Sequence, residues 1–218
     1  MSTIEAVISD FGGVLTSPLF HAFAAYQEEE GVPLETLGTA LARVAETDGA
    51  NPLFELECGR MTEAAFLARL ATQIYDDVGR TIELHSFPER YFAHLHPNEP
   101  MIAYLAGLRE RGYRMAMLTN NVREWEPRWR AMLPVEEIFE LVVDSAFVDM
   151  RKPDPRIYEL TCERLGVDAR RCVFIDDVDV NIVAARELGM TAVHFRDAEQ
   201  AIAEVAAALE ASGDPARD

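Results

Sequence analysis

Two adjacent carboxylates, Asp176 and Asp177, close the apolar run Cys172-Val173-Phe174-Ile175. Side by side at a strand end of low dielectric they repel one another, and a bound cation relieves that repulsion. No His or Cys stands directly beside them, so the donors are hard oxygens, which favour Mg2+ over zinc. A helix N-terminus would also tolerate acids here, but it accounts for one Asp better than for two. Asp10 likewise closes an apolar run, Ala6-Val7-Ile8-Ser9, and is followed by Phe11-Gly12-Gly13. Glycines there permit a tight turn and close backbone approach to a ligand. Taken alone, an Asp that merely caps the turn explains as much. Thr119 and Asn120 follow Met115-Ala116-Met117-Leu118. A hydroxyl at a strand end, with N–H groups after it, can hold a phosphate oxygen, and it can equally cap the next helix. Lys152 lies in Met150-Arg151-Lys152-Pro153-Asp154-Pro155, a segment that the prolines stiffen. Fixed there, it is a positive point charge for phosphate; an ordinary Lys would be solvated.

The elements that must position these residues alternate along the second half of the chain. Strands are expected at Arg114–Leu118, Leu141–Val143, Cys172–Ile175 and Thr191–Phe195. Helices are expected at Met101–Arg111, Val122–Met132, Pro155–Leu165, Val180–Leu188 and Glu199–Ala211, and the chain beyond Gly213 is expected to fray. Pro127 must sit in the first turn of its helix or kink it. With Ala6–Ser9, this order predicts an α/β fold: a Rossmann-like parallel sheet with right-handed crossovers. Ligands of such sheets bind beyond the carboxyl ends of the strands, where Asp10, Thr119, Asp176 and Asp177 fall. Between Leu19 and about Leu95 the pattern is helical instead. One helix stops at Gly31, a second opens at Pro33 and runs to about Glu46, and Met61–Tyr75 carries Ala65, Phe66, Leu70 and Ile74 at helical spacing.

The 218 residues include 38 acidic and 20 basic side chains, for a net charge of −18. Such a surface disfavours nucleic acid and anionic lipid as partners. It also repels a phosphorylated substrate at long range, so a phosphate site must be locally positive. Cys58, Cys162 and Cys172 show no metal-ligand spacing and no paired framework; Cys172 opens an apolar run and reads as a buried inert thiol, and this usage fits a reducing cytoplasm. No apolar run approaches the length of a membrane span.

Jointly these segments resemble the four motifs of the haloacid dehalogenase superfamily. Asp10-Phe11-Gly12-Gly13-Val14-Leu15-Thr16 is similar to the first, Leu118-Thr119-Asn120 to the second, and Lys152-Pro153-Asp154 with Tyr158 to the third. Ile175-Asp176-Asp177 with Asn181, Ala184-Ala185 and Gly189-Met190 is similar to the fourth. The helical insert after the first strand resembles the family's C1 cap, with Phe54-Glu55 through Gly59 as its middle stretch. The epoxide-hydrolase amino-terminal-domain-like phosphatase branch is the nearest in flavour. The resemblance implies a core of residues 1–16 and 96–218 with a cap of residues 17–95. It implies a phosphatase acting on a small phosphorylated metabolite. Asp10 would be the nucleophile, forming an aspartyl-phosphate that water cleaves. Mg2+ would be held by Asp10, the Gly12 carbonyl, Asp177 and Asp176, the last directly or through water. Thr119, Asn120 and Lys152 would hold the transferring oxygens, and Asn181 would orient the acidic loop. A monomer or homodimer is expected.

The chain departs from the family pattern at Gly12, where most phosphatases of this superfamily carry a second Asp that protonates the leaving group. A substitute acid from the cap, or Asp179, would have to serve, or turnover would be slow. Two other readings share the motifs: a metal-independent 2-haloacid dehalogenase, and a non-catalytic relative that binds a phosphorylated ligand. The first tends to carry an aromatic residue where Gly12 stands and a Ser-Ser-Asn-type fourth motif. Glu55, Arg60 and Met61 in the insert could touch substrate or simply pack. His94 and His96 read as surface histidines, His21 and His194 as structural ones, and Trp125 and Trp129 as packing residues.

Overall fold

The structure is a computed structural model that describes residues 3–31, 34–79, 84 and 86–213. Pro33, and the chain end after Gly213 that was expected to fray, lie outside the described residues. Five strands make one parallel sheet: β1 (Ala6–Ser9), β2 (Arg114–Thr119), β3 (Leu141–Asp144), β4 (Cys172–Asp176) and β5 (Thr191–His194), in the order β3-β2-β1-β4-β5. Apart from Arg114, every residue of β1, β2 and β4 is buried. A parallel sheet covered on both faces demands such continuous apolar runs.

Alternation along these strands divides the core into two layers. Val7, Met115, Met117, Val173 and Ile175 pack with α6 (Glu99–Glu110), α8 (Val135–Ile138) and α11 (Ala198–Ala211). Ala6, Ile8, Ala116, Leu118 and Phe174 face α9 (Pro155–Leu165) and α10 (Asp179–Glu187) on the other side. Ser9 stands opposite both Met117 and Ile175, so the chain leaves β1, β2 and β4 along one common edge.

The insert between β1 and β2 holds α1 (Leu19–Glu30), α2 (Leu34–Asp48), α3 (Pro52–Glu57), α4 (Glu63–Val78) and α5 (Phe87–Ala93). It packs around its own cluster, which includes Tyr26, Leu56, Leu70, Ile74 and Tyr91. The chain enters and leaves it side by side. Thr16 bridges Pro97 in antiparallel fashion, Ser17 N–H donates to His96 O at 2.7 Å, and Asn98 N–H donates to Leu15 O at 2.9 Å.

Helices α3 and α5 were not anticipated from sequence. Six and seven residues long, with proline in the first turn, they are too short to display a full apolar period. The helix expected over Val122–Met132 is broken: a 3-10 turn at Arg123–Trp125 precedes α7 (Glu126–Arg130). Pro127 lacks the N–H that a continuous helix would need there, and it sits in the first turn of α7 instead. The expected helix at Met61 begins at Glu63, because Thr62 caps it by accepting from Ala65 N–H, and Gly79 ends it at φ 70°. Among the described residues, no helix is long and apolar enough to cross a membrane.

Candidate active site

Asp10 follows β1 directly, and its N–H donates to Ile175 O of β4 at 2.9 Å. Its Oδ1 accepts from Phe11 N–H at 2.7 Å. The turn that follows is held by Thr16, whose Oγ1 accepts from Gly13 N–H at 3.0 Å. Gly13 has φ +78°, and a Cβ built on it would lie 2.2 Å from Asp177 Oδ2. Only glycine therefore lets the Asp177 carboxylate come down onto this turn.

Lys152 is the pivot. Its side chain is 1% exposed, and its Nζ lies 2.8 Å from Asp10 Oδ1 and 2.6 Å from Asp176 Oδ2. The reading of Lys152 as a solvated surface residue fails. Asn120 explains how the loop is set. Its Oδ1 accepts from Lys152 N–H at 2.8 Å and its Nδ2 donates to Lys152 O at 3.0 Å, so one amide clamps both backbone groups. Asp154 then caps α9 by accepting from Arg156 N–H. Thr119 ends β2 and is buried. It does not cap the next helical turn, which opens at Val122 without a side-chain cap; Asn121 Oδ1 accepts from Val122 N–H at 2.9 Å.

Asp176 is fully buried and saturated. Oδ1 accepts from Val178 N–H at 2.8 Å and from Asn181 Nδ2 at 3.0 Å, and Oδ2 accepts from Lys152. Asn181 is held in turn by Tyr158, whose hydroxyl donates to the Asn181 carbonyl at 3.1 Å. Tyr158 was noted in sequence only as part of a motif. His194 lies against the acidic loop, with Nε2 3.1 Å from the Asp177 carbonyl oxygen.

Carboxylate oxygens of Asp10, Asp176 and Asp177 all lie within 4.8 Å of one another. Burial raises the pKa of Asp10; Lys152 pulls it back, and Asp176 pushes it further up. Burial and the Asp176 charge likewise raise Asp177. Burial opposes the Lys152 ammonium, but Asp10 and Asp176 outweigh it and hold its pKa above the usual value. One ammonium thus faces three carboxylates, and the raised carboxyl pKa values mark a shortage of positive charge. Hard oxygen donors in this number suit a divalent cation of the Mg2+ type.

Beyond the sheet edge a chamber of about 450 Å³ opens between core and insert. Gly12, Thr119 and Asn120 form its floor, and leucines and aromatic residues of the insert form its walls. Two carboxylates line it, Glu57 and Glu63. Glu57 Oε2 accepts from Arg151 Nε at 2.5 Å, and Ser145 Oγ donates to the Glu57 carbonyl at 2.6 Å. Burial pushes the Glu57 carboxyl up, and Arg151 pulls it back. Glu63 accepts from Trp125 Nε1. Sequence reasoning singled out neither Glu57 nor Glu63. The available signal was an acid, Glu57, set between the buried Leu56 and Cys58. Trp125 lines the chamber, whereas Trp129 is packing, buried with its ring 5.5 Å from Phe11.

Glu55, Arg60 and Met61 do not line the chamber. Arg60 pairs with Glu55 at 2.9 Å and with Asp149 of the core at 2.6 Å, an exposed latch between insert and core. Asp179 is 73% exposed at the start of α10. His94 pairs with Glu29 at 2.9 Å on the surface.

The comparisons with known proteins agree with this arrangement. The family model for haloacid dehalogenase-like hydrolases matches residues 4–189, and the chain belongs to that family. A relative from Sus scrofa, bifunctional epoxide hydrolase 2, is 24% identical over 211 residues, covering 93% of this chain and 38% of its own length. A glyceraldehyde 3-phosphate phosphatase from Methanopyrus kandleri is 32% identical over 114 residues, covering 51% of this chain and 48% of its own. The chain thus spans less than half the length of either relative. A family enzyme from Bacteroides thetaiotaomicron, solved with magnesium and inorganic phosphate, shares the fold. Its TM-score is 0.61 at 22% identity, covering 88% of this chain and 94% of that one. So does an L-2-haloacid dehalogenase from Xanthobacter autotrophicus, with TM-score 0.63 at 20% identity, covering 87% of this chain and 76% of that one.

Proposed function

We propose that this chain is a Mg2+-dependent phosphatase of a small phosphorylated metabolite, with Asp10 as nucleophile. The observation that supports it most is Lys152, a buried ammonium shared by Asp10 and Asp176 in a cluster still short of positive charge. A phosphoryl group brings further negative charge, so it can enter only with a cation. Asp10, Asp177 and the Gly12 carbonyl would hold Mg2+, and Asp176, whose oxygens already accept from Lys152, Asn181 and Val178, would reach it through water. When bound, the ion supplies positive charge to the phosphoryl oxygens as they gain charge in the transition state. Asp10 attacks phosphorus and the ester bond to the leaving oxygen breaks. Water then hydrolyses the aspartyl-phosphate, returning Asp10 and inorganic phosphate. Thr119, Asn120 and Lys152 bind the equatorial oxygens.

Gly12 offers no acid to the leaving group. Glu57 takes that part in this reading: it lines the same chamber as Thr119 and Asn120, and burial raises its pKa against the pull of Arg151. Asp179 is too exposed to serve. Residues 17–95 would act as the cap over a core of 1–16 and 96–218, as the paired crossings at Thr16 and Pro97 support. Neither nucleic acid nor membrane is a partner in this reading. The protein works as a monomer or homodimer in the cytoplasm.

Hydrolysis of p-nitrophenyl phosphate, with and without Mg2+, tests the proposal. The native chain should turn over only with Mg2+, and Asp10→Asn should lose at least about 10⁴-fold. The metal-independent dehalogenase would instead release chloride from chloroacids in the presence of a chelator. A site with this excess of carboxylates and no cation would repel such anionic substrates. Phosphoester binding without turnover by the native chain would mark a non-catalytic relative.

A further inference from the structure

We infer that His194, at the end of β5, is a positioning residue for the cation site: it fixes the peptide that aims the Asp177 carboxylate at the Gly12-Gly13 turn. This rests on the cation part of the proposed function. Asp177 differs from the other two carboxylates in how it is held. Asp10 accepts from Phe11 N–H and pairs with Lys152, and Asp176 accepts from Val178, Asn181 and Lys152. Among the described residues, no other residue donates a hydrogen bond to the Asp177 carboxylate. Its direction is therefore set by the backbone. A Cα between two fixed peptide planes has a fixed Cβ direction.

Both peptides that flank Asp177 are tied to the end of β5. Phe195 N–H donates to Asp176 O at 2.9 Å and holds the peptide before it. His194 Nε2 donates to Asp177 O at 3.1 Å and holds the peptide after it. A carbonyl oxygen only accepts, so Nε2 must carry the hydrogen. The N–H of that second peptide donates to Asp176 Oδ1 at 2.8 Å, so losing His194 leaves it one tether of two. His194 is itself anchored: Gln200 Nε2 donates to its carbonyl at 3.1 Å, and Gln200 Oε1 accepts from Arg196 N–H at 3.0 Å. Aim matters because the space is tight. A Cβ built on Gly13 would lie 2.2 Å from Asp177 Oδ2, so the carboxylate rests against the turn whose Gly12 carbonyl is proposed to meet the same cation. The His194 side chain is 40% exposed, so replacing the ring opens no buried cavity, and cation grip can be separated from fold stability.

Mn2+ serves as the probe, since oxygen donors that suit Mg2+ also suit it. Free Mn2+ is followed by electron paramagnetic resonance in titrations of the native chain, His194→Phe, His194→Gln and Asp177→Asn, with thermal melting of each chain without metal. His194→Phe keeps a ring and lacks the N–H. It should weaken Mn2+ binding by about 10–10²-fold, the usual loss when a group that orients a metal ligand is removed. Its melting temperature should stay within about 4 °C of the native value. His194→Gln, whose amide can donate to the same carbonyl, should recover most of the affinity. Native-like binding by His194→Phe, or equal weakening in both variants, overturns the inference. A His194→Phe chain that melts far below the native one also overturns it, because that marks a structural role. A native chain that takes up no Mn2+, or uptake that Asp177→Asn leaves unchanged, overturns the cation reading and this inference with it. Tight uptake that is lost in His194→Phe, without turnover of p-nitrophenyl phosphate by the native chain, would sink the phosphatase reading and leave His194 in its role.

Discussion

The sheet edge and the insert solve opposite problems with opposite materials. At the edge, three carboxylates and one ammonium are crowded together, and Asp10, Asp176 and Lys152 among them are buried and held by named partners. Nothing there can move without leaving a buried charge unpaired, a change that typically costs about 3–5 kcal/mol. In the chamber the walls are leucine and aromatic surface, where one hydrophobe can replace another of similar volume for less than about 1.5 kcal/mol. The edge is thus suited to one reaction, and the chamber to a choice among substrates. Polar groups tie the insert to the core, among them Glu57 with Arg151, Ser145 donating to the Glu57 carbonyl, and Arg60 paired with Asp149.

Removing the pivot should break the edge most severely. Lys152→Ala leaves Asp10 and Asp176 buried without their cation, and it should destabilise the fold by about 3–5 kcal/mol in urea unfolding. An equal substitution in the chamber wall, where Leu67 is only partly buried, should cost less. If Lys152→Ala melts like the native chain, the edge is not the charge-locked structure described here. A second change probes the seam. Glu57→Gln should lower kcat for phosphates of ordinary alcohols by about 10²-fold or more and for p-nitrophenyl phosphate much less, since that leaving group needs little protonation. Equal losses on both substrates would remove Glu57 from proton transfer and leave it a positioning role.

Asp144 gives the smallest effect and sharpens the comparison from within the core. It is a buried carboxylate of β3; its Oδ1 accepts from Ala146 N–H at 3.0 Å, while Oδ2 has no hydrogen-bond partner among the described residues. Burial pushes its pKa up to about 6 from 3.8, with the Ala146 N–H pulling the other way. A folded-state pKa above the unfolded one means stability present below pH 3.8 and lost as the pH rises through 6. Asp144→Asn does not titrate, so its stability relative to the native chain should improve by about 2 kcal/mol across that window. A relative stability that is constant with pH would show that Asp144 titrates normally.

The strands were legible because each is an apolar run closed by a polar residue, as at Ser9-Asp10 and Ile175-Asp176-Asp177. Placement of the carboxylates at one sheet edge followed from the alternation of strands and helices, since parallel βαβ units deliver those ends to one edge, whereas the neighbouring of β1 and β4 did not. Burial of Lys152 was not legible. Its partners, Asp10 and Asp176, lie far away in the chain, and apart from the resemblance of Lys152-Pro153-Asp154 to a family motif nothing local distinguishes it from a surface lysine. The chamber was invisible for a different reason. Leu37, Leu53 and Phe66 follow the spacing of core residues, and a wall facing a cavity has the same composition as a wall facing another helix. Glu57 is one acid in a stretch that also holds Glu55 and Arg60, and the sequence does not separate it from them; Arg60 pairs with Glu55 and with Asp149 in the exposed seam instead.

The claim that the edge is a cation-assisted phosphoryl acceptor can be met head-on. A reaction with p-nitrophenyl phosphate, quenched in acid and digested, should yield the peptide containing Asp10 heavier by one phosphoryl group when Mg2+ is present and unmodified when it is chelated. Turnover with phosphate on another residue, or labelling of Asp10 that ignores chelation, would contradict it.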